Sequence, residues 1–254
     1  MSAKVITFGV EKGGAAKTTT CGIAAHLLSQ KKRVLVVDMD SQGNVTELLT
    51  GLDSAEFMGR GVLEAIQEGD ADPYIVAINE RLHILAGHSD LALFSRWLWS
   101  KYKEDKSLAL QAILSPIANN YDYILLDTPP ALGDQTINAL AASDYVCAMY
   151  ETSKFCYSAL GRFLRTITEV KKSVNPKINL AGIVISMIDS RRADNKALLE
   201  LVQEEYPEHC FSTVIYRRAA TGRLSINGFT NNPELNEAVK QFVPLLKEVM
   251  KKCQ

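Results

Sequence analysis

The segment that most constrains this chain lies between residues 5 and 28. A β-like run, Val5-Ile6-Thr7-Phe8, leads toward Glu11-Lys12-Gly13-Gly14-Ala15-Ala16-Lys17-Thr18-Thr19, and a helix-like run over residues 21–28 leads away from it. A strand, a glycine-bearing turn ending in Lys-Thr and a helix aim backbone N–H groups and the positive end of a helix dipole at one spot. That arrangement is a phosphate cradle. Gly13 and Gly14 let the backbone approach an anion closely. The spacing assigns Lys17 to the β- and γ-phosphates of a nucleotide and the Thr18 hydroxyl to Mg²⁺.

The general pattern GxxxxGK[ST] fails here at two places. Glu11 stands where its first glycine belongs, and Ala16 precedes Lys17. The form that fits is K-G-G-x-x-K-T-T over residues 12–19, which adds a second lysine, Lys12. Ala16 carries a Cβ that is harmless only if φ there is negative.

Strand-like runs alternate with helical ones along the rest of the chain. Strands are expected at 4–10, 33–38, 82–86, 122–127, 144–150 and 179–187. Helices are expected at 18–30, 61–68, 90–102, 106–119, 134–142, 156–171, 193–205 and 232–251. Val34-Leu35-Val36-Val37 and Ile124-Leu125-Leu126 are continuous apolar runs, as in parallel strands covered on both faces, and each ends in an aspartate. The expectation is a single α/β domain over residues 1–254, with a doubly wound, mostly parallel sheet and its ligand at the C-terminal ends of the strands. Asp127, followed by Thr128-Pro129-Pro130, is placed to support Mg²⁺ through water. Asp38 and Asp40 end the preceding strand, where a carboxylate can orient an attacking water.

Composition narrows the setting. The chain has 254 residues and a formal charge of −1. No apolar run reaches the length of a membrane span, and the early strand leaves no room for a signal peptide. Cysteines 21, 147, 156, 210 and 253 form no CxxC pair, which suits reduced thiols in a cytoplasmic protein. Residues 1–150 hold 12 Lys/Arg and 18 Asp/Glu, whereas residues 151–254 hold 16 and 11. The C-terminal part therefore offers either a basic patch for an anion such as DNA or a solvated mixed-charge surface. The stripe Leu235, Val239, Phe242, Leu246, Val249 and Met250 reads as a packed terminal helix, with a membrane-binding tail as the other reading.

With these motifs assembled, the chain resembles the ParA family of partition ATPases, within the MinD/ParA group of deviant P-loop proteins. The resemblance rests on residues 12–19, on Val37-Asp38-Met39-Asp40-Ser41-Gln42-Gly43-Asn44 and on residues 121–130. It continues through residues 138–144 and through Ser186-Met187-Ile188-Asp189-Ser190-Arg191, similar to the family's T-x-x-D-x-R. It is weakest between 52 and 105.

The resemblance implies an ATP- and Mg²⁺-dependent homodimer in which Lys12 reaches into the partner subunit's nucleotide. Residues 12–19 would form the ATP cradle, with Gly13, Gly14, Ala15, Ala16 and Thr19 beside Lys17 and Thr18. Asp40 would position the hydrolytic water and Asp127 would support the metal. Ile215, Tyr216, Arg217 and Arg218 resemble the stretch near the adenine. Arg191, Arg192, Arg217, Arg218 and Arg223 lie where relatives carry DNA-contacting residues. The implied activity is slow ATP hydrolysis, stimulated by a ParB-type centromere-binding partner, on non-specific DNA of the nucleoid. The short form, beginning at the P-loop, implies no operator-specific binding.

Three positions depart from the family pattern: Ala16, Ser41 in place of a usual proline, and Tyr216-Arg217-Arg218 in place of Pro-Arg-Asn. The rivals are a MinD-like membrane-cycling ATPase, a nitrogenase iron-protein type needing cysteine ligands, and a synthase or kinase of the same superfamily.

Overall fold

The computed structural model describes residues 2–188, 193–229 and 232–253. Its framework is β1 (Lys4–Gly9), α1 (Lys17–Ser29), β2 (Val34–Asp38), α2 (Asn44–Thr50), α3 (Val62–Glu68), β3 (Ile75–Ala77) and β4 (Leu82–Leu85). It continues with α4 (Phe94–Lys101), α5 (Ala109–Leu114), β5 (Tyr123–Asp127), α6 (Asp134–Ala141), β6 (Tyr145–Glu151), α7 (Lys154–Ser173), β7 (Asn179–Ser186) and α8 (Ala193–Glu205). Short helices α9 (Ala219–Gly222), α10 (Leu224–Asn227) and α11 (Leu235–Val239) precede the terminal α12 (Phe242–Lys252).

The strands form one seven-stranded sheet in the order β3-β4-β2-β5-β1-β6-β7. All neighbours pair in parallel except β3 with β4. Successive side chains of a strand point to opposite faces, so the apolar runs feed two cores at once. Val34 and Val36 of β2 and Leu125 of β5 join one apolar layer with α1, α7 and α12. Leu35, Val37, Ile124 and Leu126 join the other with α3, α4 and α5. This is the doubly wound, mostly parallel arrangement expected from the alternation of elements.

The differences from the sequence reading are local and have physical causes. Strand β3 is three residues long and half-exposed, too short to show a periodicity. Helix α2 has seven residues and begins at Gly43 with φ 63, so no polar N-cap announces it. The helix expected over 106–119 is a 3₁₀ turn followed by α5, which ends just ahead of Pro116, whose missing N–H cannot continue the helical hydrogen bonds. The helix expected over 232–251 is split into α11 and α12, since Pro244 has no N–H to offer the Lys240 carbonyl. The terminal stripe is packed: Phe242, Leu245, Val249 and Cys253 are buried, and Leu246 and Met250 lie against the core.

Candidate nucleotide site

The parallel register brings the strand ends together. Phe8 of β1 and Asp38 of β2 both pair with Asp127 of β5. The loop after β1 therefore rises beside two aspartates that end adjacent strands. In that loop Gly14 has φ +80, a conformation glycine adopts freely, and a Cβ there would meet open space. Helix α1 starts at Lys17 with no side-chain cap on its first turn. Gly13 and Gly14 are exposed, Ala15 is buried, and Ala16, Thr18 and Thr19 are half-buried. The predicted cradle is thus assembled, with its helix N-terminus open toward the strand ends.

Ala16 settles the geometric question raised by its Cβ. Its φ of 59 and ψ of 27 place it in the left-handed region. That conformation costs a non-glycine residue about 1–2 kcal/mol, so the departure from glycine is a strained one. The loop holds Ala16 in place because Ala16 O accepts the Thr20 N–H at 2.9 Å and Ala15 O accepts the Ser186 hydroxyl at 3.0 Å.

Lys17 is buried, and its Nζ donates to the Lys12 carbonyl at 3.1 Å. Burial lowers its pKa, while Asp127 and Asp40 oppose that shift. The Thr18 hydroxyl donates to Asp127 Oδ2 at 2.7 Å. The other oxygen, Oδ1, is buried and has no hydrogen-bond partner among the described residues. Burial first, and then the neighbouring Asp38 charge, push the Asp127 carboxyl up to about 8. A hydroxyl, a carboxylate with an unpaired buried oxygen and a nearby lysine are a donor set that fits a hard, oxygen-liganded divalent cation beside a phosphate.

Asp38 and Asp40 divide their tasks. Asp38 is fully buried and accepts the Thr46 hydroxyl at 2.8 Å, the Thr46 N–H at 3.1 Å and the Asp40 N–H at 3.1 Å. Its carboxyl is raised to about 7 by burial, against the pull of those donors. It ties the loop after β2 to α2, and its contacts are structural. Asp40 Oδ1 accepts the Gln42 N–H at 3.1 Å, and the side chain lies close enough to Lys17 and Asp127 to affect both electrostatically. Gly87 presses on the base of this loop: a Cβ there would lie 2.7 Å from Asp38 Cγ and 2.9 Å from Asp40 O.

Lys12 does not turn into its own cradle. Its Nζ donates to Glu151 Oε2 at 2.8 Å and to Ser153 Oγ at 2.7 Å. Glu151 Oε1 lies 3.7 Å from Arg217 Nη2. The sequence reading missed both acceptors, because they are far away in the chain; the only available signal was that Glu151 ends a strand on the ligand side of the sheet.

The segment after β7 behaves differently at each residue. The Ile215 side chain is buried in the core, its N–H donates to Ile185 O at 2.9 Å and its carbonyl accepts the Ile188 N–H at 3.2 Å. Tyr216 is exposed, and both its backbone groups are held by the Gln241 side-chain amide, at 2.9 and 3.0 Å. Gln241 was not anticipated, since nothing local marks it. Arg218 pairs with Glu237 at 2.7 Å, and Arg223 pairs with Glu234 at 2.5 Å. Each of the three described arginines proposed for DNA therefore has a glutamate partner. Arg191 and Arg192, with Asp189 and Ser190, lie outside the described residues.

Comparison with known proteins fits this geometry. A protein-family profile described as "AAA domain" matches residues 3–180. The chain is 31% identical to the sporulation initiation inhibitor protein Soj of Bacillus subtilis, over 89% of this chain and 88% of that protein. It is 29% identical to the chromosome partitioning protein ParA of Myxococcus xanthus, over 98% of this chain and 88% of that one. Among solved structures, a plasmid partition protein from Borrelia burgdorferi aligns with a TM-score of 0.78 at 25% identity, covering 99% of this chain and 100% of that one. The cobyrinic acid a,c-diamide synthase of Mycobacterium smegmatis, with bound ATP analogue and magnesium, aligns with a TM-score of 0.73 at 31% identity, covering 80% and 83%.

Two outcomes are expected from the site's geometry. Ala16→Gly relieves the left-handed strain and raises nucleotide-free stability by about 0.5–1 kcal/mol after the added flexibility of the unfolded chain is counted. Urea unfolding checks it, and a destabilised variant contradicts the conformation of Ala16. The second concerns pH. Asp38 and Asp127 have folded pKa values above their unfolded ones, so the folded chain binds their protons more tightly. Their favourable contribution is fully present only below the ordinary carboxylate value of 3.8, and it is lost progressively as pH rises from there through about 7 and 8. Asp127→Asn should raise the nucleotide-free melting temperature at pH 8.5 by roughly 5 °C and flatten its dependence on pH. A lower melting temperature at pH 8.5 in a scanning calorimeter would contradict the frustrated carboxylate.

Proposed function

The chain belongs to the ParA family of P-loop ATPases, and on that footing we propose that it is a DNA-segregation ATPase working as a nucleotide-gated dimer. The observation that carries this reading is Lys12. Its ammonium leaves its own phosphate cradle and stands half-buried at the rim of the strand-end face, 2.8 Å from Glu151. A lysine so placed is available to a nucleotide presented by a second copy across that face.

The chain's own residues divide the work as follows. The N–H groups of residues 13–19 and the Lys17 ammonium bind and orient the phosphates of ATP, and Lys17 neutralises charge that develops during transfer. Thr18 and Asp127, with Asp40 nearby, would hold Mg²⁺, which would offset the negative charge of the phosphate oxygens. Asp40 orients the attacking water. Tyr216, Arg217 and Arg218 flank the adenine, with Gln241 fixing Tyr216. Closure of the dimer completes the charge stabilisation from Lys12, so hydrolysis by a lone protomer is slow, and a ParB-type partner accelerates it.

DNA enters through multiplicity. Two copies of a modest arginine surface, Arg217, Arg218 and Arg223, become one larger surface on dimerisation. Affinity for phosphates rises steeply with the number contacted and falls steeply with salt. The ion pairs to Glu151, Glu237 and Glu234 oppose each contact, which keeps the monomer's affinity low. The proposed location is the cytoplasm, on nucleoid DNA.

The membrane-cycling alternative has less support. Helix α12 is packed on the core through Phe242, Leu245 and Val249, and among the described residues no helix is long and apolar enough to cross a membrane. For the iron-protein type, Cys147 is buried within β6 and the Cys156 thiol accepts the Glu151 N–H at 3.2 Å, so neither stands free at the strand-end face.

Fluorescence anisotropy with a random-sequence duplex tests the proposal. Binding is expected with Mg²⁺–ATP, with little in ADP or without nucleotide, and it should weaken by about 10³-fold or more between 50 and 200 mM salt. Arg217→Ala combined with Arg218→Ala should lower DNA affinity. Equal binding in all three nucleotide states, or none in any, would overturn the reading.

A further inference from the structure

The end of the sheet opposite the nucleotide site carries another concave feature. Tyr123 begins β5 and Asp127 ends it, so this feature lies about 13 Å along the strand from the paired aspartates. It is a groove of about 470 Å³ between the C-terminal ends of α1 and α12. Its floor is apolar: Leu27 and Leu28 come from α1, Met250 and Cys253 from the end of the chain, and Tyr123 from the sheet.

The rim is cationic. Lys4, Lys31 and Lys32 line it, and the last turn of α12 adds the exposed Lys251 and Lys252 beside Met250 and Cys253. The two lysine pairs stand at helix C-termini, the negative end of the dipole, where a cation is favourably placed. The turn that closes α1 holds its pair there, because the Lys31 and Lys32 N–H groups both donate to the Leu28 carbonyl, at 3.1 and 3.0 Å. Among the described residues none of these five lysines forms an ion pair. The Lys4 ammonium instead lies 5.8 Å from the centre of the Tyr145 ring. Two carboxylates of the same edge are committed to the backbone: Asp122 accepts the Arg33 N–H at 2.8 Å, and Asp144 accepts the Val5 N–H at 2.9 Å. Arg217, Arg218 and Arg223 differ, since each of them faces a glutamate.

Shape decides which anion fits. Leu27, Tyr123 and Met250 are half-buried, and Leu28 and Cys253 are buried, so the apolar floor is recessed below the exposed lysines. A bilayer takes up apolar side chains that protrude, and these do not. A nucleic-acid backbone would gain from the lysines and nothing from the floor. A peptide matches both parts: one protruding apolar side chain fills the groove, and flanking carboxylates meet the rim.

We propose that this groove docks an acidic peptide segment of a partner protein, which anchors an apolar or aromatic side chain between α1 and α12. The site is separate from the nucleotide. A pairing of two copies through the C-terminal strand ends leaves the groove uncovered. The peptide therefore binds the nucleotide-free and the nucleotide-bound chain alike, as a tether and not as a stimulus of hydrolysis.

Fluorescence anisotropy tests this with a fluorescein-labelled random copolymer of glutamate and tyrosine, compared with labelled poly-glutamate of the same length. The copolymer should bind more tightly than poly-glutamate, and equally well without nucleotide and with Mg²⁺ and the non-hydrolysable analogue AMPPNP. Lys31→Glu combined with Lys32→Glu alters two exposed side chains and should weaken copolymer binding about tenfold. Met250→Gln keeps the side-chain length and should remove most of the copolymer's advantage over poly-glutamate. Leu27→Gln carries that arm if the Met250 variant does not fold, with folding read from thermal melts. Equal affinity for the two polymers, or copolymer binding that survives the charge reversal, overturns the proposal. Binding confined to Mg²⁺–AMPPNP also overturns it, because the contact then belongs to the face between copies. If the charge reversal weakens binding to duplex DNA or to phosphatidylserine vesicles and spares the copolymer, the lysines serve nucleic acid or lipid and the proposal fails.

Discussion

Asp38 and Asp127 are placed side by side by the register of β2 and β5, at the buried ends of two fully apolar strands. Every other feature of the site answers to that crowding. Thr46 and the Asp40 N–H satisfy Asp38 and thereby fix the loop that carries Asp40. Thr18 satisfies one oxygen of Asp127, leaving the other without a partner among the described residues. Lys17 is drawn into the same volume, where burial works against its charge and the carboxylates work for it. A divalent cation with a polyphosphate is the ligand that resolves this frustration, because it brings positive charge to Asp127 and negative charge to Lys17 together.

The parallel sheet is what permits such a concentration of charge. Its strands are covered on both faces by apolar layers, so the polar groups can emerge only at the strand ends. The strained Ala16 and the close approach of Gly87 to Asp38 are borne there because the core beneath is well packed. At the same edge Lys12 faces outward to Glu151. The C-terminal edge of the sheet thus carries both Lys17 beside the paired aspartates and, at its rim, Lys12 paired with Glu151.

Much of this was legible in the sequence because it is local. The strand–turn–helix at residues 4–29 and the apolar runs ending in Asp38 and Asp127 announce themselves within a few residues. What escaped was non-local or too short. The pairing of Lys12 with Glu151 spans the chain from the first loop to the end of β6, and Gln241 reaches Tyr216 from the start of the terminal helix. Strand β3 and helix α2 are too brief for periodicity to show. The resemblance placed Ile215 with Tyr216 in the stretch near the adenine; its side chain belongs to the core, while that of Tyr216 is exposed, as alternating side chains of an extended segment dictate.

The frustrated Asp127 carboxyl is the central physical claim, and proton counting tests it directly. Isothermal titration of Mg²⁺–ADP at pH 7, in buffers of different ionisation enthalpy, reports protons released on binding. A carboxyl that burial and the Asp38 charge hold well above the usual carboxylate range keeps part of its proton at that pH and gives it up as the cation binds. The unaltered chain should release more protons than Asp127→Asn does. Equal release from the two proteins would contradict it.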